Sequence, residues 1–201
     1  NTSVEYIRGL PLARALTAQG WFDGIDLHIG IENGKVRNQE IRGTTVGFFD
    51  VYTGSEIGLL ELQSSGPLSD FLSIPNLSTG PAWQFLAENA QNIKGFSEAE
   101  LQVQFPLIKG LAVQHLATEG ELIFYDLSLR QGRTNMWKEE LNISNGTGAI
   151  VLDSLGIKGS GTALLNEFPI EAEWINLFED DGSGFASKAT MRTTISNKSF
   201  K

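Results

Sequence analysis

The conventional general bases in this chain are two histidines, His28 and His115. Each stands in a run whose alternating apolar and polar residues predict a strand with the imidazole on its polar face. That setting suits a solvated strand histidine better than a catalytic one. A serine nucleophile needs a Gly-x-Ser-x-Gly elbow between a strand and a helix. Gly159-Ser160-Gly161 reads instead as a glycine-rich step within a strand, and Gly182-Ser183-Gly184 follows an acidic turn. Zinc sites draw three or four ligands mainly from Cys and His, and this chain has no Cys. Glu179-Asp180-Asp181 has the oxygen ligands calcium prefers but lacks the Asp-x-Asp-x-Asp-Gly register, so it reads as a solvated turn. Glu98 with Glu100, and Glu171 with Glu173, alternate along strands. Glycosidase carboxylates stand about 5 to 10 Å apart in a cleft, and polar-face carboxylates satisfy the same spacing without one. No glycine-rich turn leads into a helix carrying a phosphate-binding Lys. The expectation is a protein that is not an enzyme, with no catalytic residue, no metal and no cofactor.

Composition narrows the partners. The 201 residues are 41% hydrophobic, enough for a substantial core, and the net charge of -9 comes without any run of Lys and Arg. Phosphate backbones require clustered cations, so nucleic acid is not an expected partner. Absence of Cys fits the cytosol and an oxidising compartment equally well. No run of about 18 apolar residues is present to cross a bilayer as a helix, and no basic-then-apolar leader stands at the start. The chain opens on Asn1 and reads as part of a longer polypeptide, with any anchor outside it.

The elements that would position these residues are strands. Apolar side chains recur at every second residue in Ile25-Asp26-Leu27-His28-Ile29-Gly30-Ile31, in Leu101-Gln102-Val103-Gln104-Phe105 and in Ile170-Glu171-Ala172-Glu173-Trp174, the period that sends them to one sheet face. Strands are predicted near 23–32, 36–42, 44–52, 56–64, 97–105, 112–118, 120–129, 139–144, 149–152, 155–159, 161–165, 168–175 and 185–195. Asn33-Gly34 is the strongest hairpin signal, with further turns at Asn145-Gly146, Lys158-Gly159, Asp181-Gly182 and Ser183-Gly184. Leu10 to Leu16, with Pro11 near its start, predicts a turn of helix. Pro67 to Leu72 predicts another, and Pro81 to Gln91 a helical stretch. The fold class is therefore all-β and mainly antiparallel, with one or two short helices around 67–91. The chain reads as a single β-rich segment over 1–201, with possible sub-units 21–65 and 96–195 joined by 66–95.

The order of several motifs resembles a known family. Ser65-Gly66-Pro67-Leu68-Ser69-Asp70-Phe71-Leu72 is followed by Gly95 to Leu107 with its Val103-Gln104-Phe105-Pro106-Leu107 end, and then by Leu116 to Leu122 and Tyr125-Asp126-Leu127-Ser128-Leu129. Asn145-Gly146, Gly159-Ser160-Gly161-Thr162-Ala163 and Phe168 to Trp174 complete the series. Together, over roughly Trp21 to Phe178, they resemble the AsmA-like superfamily, more closely its YhdP-type region. The acidic stretch Glu179 to Gly184 departs from that pattern. The resemblance implies a periplasmic segment of a large protein tethered to the inner membrane. It implies an elongated, twisted sheet curled into a groove whose apolar inside shields phospholipid acyl chains in transit toward the outer membrane. Its implied partners are those acyl chains, neighbouring segments of the same long chain, and envelope proteins.

Alternation supplies the candidate lining residues: Ile25, Leu27, Ile29 and Ile31; Leu101, Val103 and Phe105; Leu122 and Phe124; Leu141 and Ile143; and Ile170, Ala172 and Trp174. In an ordinary sandwich such residues pack against a second sheet as core. In a partly covered curled sheet they stay accessible to acyl chains. Both readings need the same alternation. A structural or protein-interaction domain, pairing through its strand edges, is the alternative function.

Overall fold

Residues 3–4, 11–54, 56–73, 89–111, 115–131, 140–177 and 187–193 are described in a computed structural model. They form eleven strands in one antiparallel sheet. The strands are β1 (Ser3–Val4), β2 (Ala13–Asp23), β3 (Asp26–Val36), β4 (Gln39–Phe49), β5 (Ile57–Pro67), β6 (Ile93–Pro106), β7 (Ala117–Gln131), β8 (Leu141–Asp153), β9 (Gly156–Leu165), β10 (Phe168–Leu177) and β11 (Ser187–Thr193). Each pairs with its sequence neighbours, so spatial order equals chain order. The sheet is twisted and curled and does not close into a barrel. A short helix, α1 (Leu68–Leu72), follows β5, and a single 3₁₀ turn at Ala90–Asn92 precedes β6. β5 and β6 pair directly, from Ile57 opposite Pro106 to Pro67 opposite Phe96, so the sheet runs on across the 66–95 excursion.

The strands are longer than the sequence suggests, and bulges stand at the breaks it places in β4 and β8. In β4 the buried residues Ile41 and Thr44 stand three apart, with Arg42 and Gly43 between them and Gly43 at φ +60°. In β7 the corresponding step runs from Phe124 to Leu127 around Asp126 at φ 52°, and in β8 Asn145 takes φ 52° beside Gly146. Each inserted residue restores the alternation beyond it and adds local twist, so one face stays apolar through the break. The sequence splits these strands at 43, 119, 145–148 and 160, whereas the structure carries β4, β7, β8 and β9 through.

Three further expectations are corrected. Ala13 to Leu16 lies in β2 rather than in a helix: Ala13 and Arg14 pair with Val36 and Lys35 of β3, and a bulge with Ala15 at φ 52° leads on to the Thr17–Asp23 stretch. Asn33-Gly34 sits inside β3, and the β3–β4 hairpin turns at Arg37-Asn38, with Arg37 at φ 55°. Turning there gives two strands of equal length and sets Val36 opposite Gln39. His115 precedes β7 instead of standing within a strand. The predicted helix at Leu68 to Leu72 forms as α1. The stretch Pro81 to Glu88, the turns at 181–184 and Ala112 to Gln114 lie outside the described residues.

The core lies where α1 meets the sheet. Leu68, Phe71 and Leu72 pack with Ala90, Ile93, Ala99, Leu122, Leu129 and Ile157, all nearly inaccessible. At the margin Gln39 Nε2 donates to the Pro67 carbonyl at 2.7 Å and Ser97 Oγ donates to the Gly66 carbonyl at 3.2 Å, while Gln39 Oε1 is buried without a hydrogen-bond partner. Asp70 Oδ2 accepts from the Asn38 backbone N–H and side-chain amide, at 3.1 and 2.7 Å, tying α1 to the β3–β4 turn.

Candidate functional site

Cross-strand register extends one face through the sheet. One row reads Phe22, Leu27, Phe48, Gly58 and Phe105; the next Gly20, Ile29, Val46, Leu60, Val103 and Thr118. Further along come Leu101, Gly120, Leu152, Ile157, Asn176 and Ser187, then Ser64, Ala99, Leu122, Ile150, Gly159, Trp174 and Ala189. A fifth runs Gly66, Ser97, Phe124, Gly148, Gly161, Ala172 and Met191, and at the far end Leu129, Ile143, Leu165 and Phe168 align. None of these rows contains Asp, Glu, Lys or Arg. The intervening rows carry the charge, for example Glu100, Glu121, Val151, Lys158, Ile175 and Lys188. Charge is thus segregated onto one face of the sheet and apolar surface onto the other, as period-two alternation demands when only one face is dry.

Thirteen of the fourteen candidate lining residues fall on the apolar face. Leu141, two residues before Ile143 in β8, completes the set. Ile25 is the exception: it occupies the two-residue turn between β2 and β3 and is 49% exposed. The alternation that includes Ile25 crosses a chain reversal, since Asp23 pairs with Asp26. Accessibility divides the remaining residues. Val103, Leu122 and Ile170 are buried, and Leu101, Phe124, Ile143 and Trp174 pack against the core under α1. Leu27, Ile29, Ile31 and Phe105, toward β2, are half-buried. At the flanks Phe22 and Met191 stand 68% and 59% exposed.

Close packing on this face uses the isolated glycines. The Phe105 ring lies over Gly58, where a Cβ would meet it at 2.2 Å, and touches Phe48 edge-on at 6.4 Å between centroids. The Phe124 ring covers Gly148 in the same way. Sequence reasoning missed Val46, Phe48, Leu60, Leu127, Ile150 and Ile157. The bulges break the local period around some of them, and Phe48-Phe49 and Leu59-Leu60 offer an apolar residue to either face.

The residues weighed for catalysis do not assemble. His28 lies on the charged face, stacked on Trp21 with centroids 5.5 Å apart and meeting Phe49 edge-on at 5.6 Å. Glu98 and Glu100 of β6, and Glu171 and Glu173 of β10, stand on that same face, with Tyr125 Oη donating to Glu98 at 3.5 Å. Carboxyls held below their ordinary range occur in turns. Glu56 is lowered by its own backbone N–H and that of Gly54, against partial desolvation, with help from Tyr52. At Asp153 desolvation pushes upward, but the Leu155 N–H, the Lys158 ammonium and the Gly156 N–H together bring the carboxyl down. Among the described residues no group of three His, Cys, Asp or Glu is placed to hold a metal ion, and no helix is long and apolar enough to cross a membrane. Glu179 to Asp181 lie outside the described residues. No family model, no curated protein and no solved structure matches this chain.

Proposed function

We propose that the apolar face receives phospholipid acyl chains and shields them from water, as a periplasmic segment of an AsmA-like protein held at the inner membrane through a part of the polypeptide outside these residues. The observation that carries the reading is the charge-free register of that face. It runs from Phe22 in β2 to Met191 in β11, while α1 covers only its middle. Removing an acyl chain from water is favourable by about 0.8 kcal/mol per CH₂, so a continuous apolar strip binds by length and needs no specific polar contact. Headgroups would ride at the wet margin. The order of motifs from Trp21 to Phe178 that resembles the AsmA-like superfamily supports the same reading.

The test is photocrosslinking in cells from probes at Ile29, Leu101 and Phe105, with adducts analysed by mass spectrometry. Phospholipid adducts at these positions, and none from a probe at Lys158 on the opposite face, are expected. Folded protein without lipid adducts at any of the three sinks the reading.

A second reading rests on the sheet edge. β1 pairs with β2 only at Ala13 and Arg14, and among the described residues no strand pairs the outer edge of Thr17 to Asp23. Such an edge can accept a strand from a partner or from a neighbouring segment of the same polypeptide. A probe at Thr17 that captures peptide, with the three apolar-face probes silent, would favour this structural role. A silent Thr17 probe in folded protein would count against it.

A further inference from the structure

The charged face holds one feature that an acyl-chain groove does not need. Trp21 is 51% exposed at the β2 edge. One side of its indole stacks on His28, whose ring is in turn buttressed by Phe49. Its six-membered ring leans over Gly30, with indole carbons 3.5 and 3.7 Å from where a Cβ would stand. Beyond the indole lies a depression of about 270 Å³, with Gly30 beneath and Gln19, Glu32 and Thr45 around it. Trp21 lines the depression together with these residues, and His28, stacked on the indole, does not.

We infer that this depression is a binding site for a neutral sugar ring. Three observations converge on that chemistry. A pyranose has an apolar face of C–H groups carrying slight positive charge, and these sit favourably on the negative π-face of an indole held upright by its neighbours. Its hydroxyls, once desolvated, need partners, and an amide, a carboxylate and a hydroxyl surround the same small space. Thr45 Oγ1 already donates to Glu61 Oε2 at 2.7 Å, which leaves its lone pairs free to accept from a sugar hydroxyl. Third, no Lys or Arg lines the depression and Glu32 does, so phosphate, sulfate and uronate groups are disfavoured. The volume falls just below the usual span of about 300 to 1,000 Å³ for drug-sized ligands, which suits one ring of a glycan rather than a longer occupant. The site lies on the opposite face from the acyl-chain rows and stands independently of that reading.

The test is NMR titration of the full 201-residue chain with cellotetraose, maltotriose and N,N′-diacetylchitobiose as separate probes. The Trp21 indole N–H peak is identified by its loss in Trp21→Ala. At least one sugar is expected to shift that peak and the Gly30 and Thr45 amides saturably, with Kd about 1 mM. Trp21→Ala should abolish the Gly30 and Thr45 shifts, and Trp21→Phe should weaken binding several-fold. The inference is overturned if none of the three gives saturable shifts, or if the Gly30 and Thr45 shifts persist unchanged in Trp21→Ala. Should Trp21→Ala fail to fold, the double variant Gln19→Ala/Glu32→Gln decides the same question. A tenfold loss supports the site, and unchanged affinity overturns it.

Discussion

Gly58 and Gly148 look alike in sequence, each a lone glycine among β-forming residues, yet they fill different roles. At Gly58 an added Cβ meets the Phe105 ring at 2.2 Å, and a ring at the end of a side chain can swing aside. At Gly148 it meets the Ser160 carbonyl oxygen at 2.2 Å and the Gly161 Cα at 2.8 Å, and backbone in a paired strand cannot. Gly148→Ala is therefore expected to cost about 1 to 3 kcal/mol in urea denaturation, and Gly58→Ala about 1 kcal/mol or less. Equal costs would show that the β8–β9 spacing yields as readily as a side chain. The same ambiguity limits what can be read in advance. A lone Gly or an Asn-Gly pair signals a turn, a bulge or a close approach, because each needs a missing Cβ or a positive φ. Asn33-Gly34 and Asn145-Gly146 both read as turns and both lie within strands, whereas the real β3–β4 turn at Arg37-Asn38 has no glycine.

Elements were more legible than their ends. Alternation located β3, β6 and β10 and, with them, nine of the fourteen candidate lining residues on one face, since a one-residue slip would send every apolar side chain to the wet face. The Ile25 error shows the limit, because two strands joined by a two-residue turn can share one unbroken alternation. At the β8–β9 turn, Asp153 organises the reversal. Its Oδ1 accepts from the Leu155 and Gly156 N–H groups at 2.9 and 3.0 Å, and its Oδ2 from Lys158 Nζ at 3.2 Å. The folded carboxyl is lowered, so its contribution is fully present above the unfolded value of about 3.9 and fades as pH falls through the folded one. Asp153→Asn, which keeps an acceptor oxygen and removes the titration, is expected to be less stable than the parent at neutral pH. The gap should close in acid, below the folded pKa. Urea midpoints for both proteins across a pH series test this, and a gap independent of pH would assign the turn's stability to shape alone.

At the scale of the whole molecule, a meander in which every strand touches only its chain neighbours behaves as a one-dimensional array. Its stability is then close to a sum over adjacent pairs plus whatever caps them. The cap is local: α1 and the Ala90–Asn92 turn share one buried cluster with Ile93, Ala99, Leu122 and Leu129 of β6 and β7, and Ile157 of β9 joins the same cluster. Among the described residues no strand pairs the outer edge of Thr17 to Asp23 in β2, and β11 is an exposed seven-residue strand carrying Lys188 and Arg192. Such charges on an outermost strand discourage further pairing. Opening should therefore be cheapest at the two flanks and most costly in the middle. Hydrogen exchange is expected to show the slowest amides in β6 and β7, with β8 and β9 intermediate and β2 and β11 fastest. The flanks are also where Phe22 and Met191 leave the apolar face uncovered, so local opening would widen an acyl chain's access there while the α1-covered centre stayed closed. Uniform protection across all strands would mean that the sheet opens as a single cooperative unit, and entry from the flanks would then have no dynamic basis.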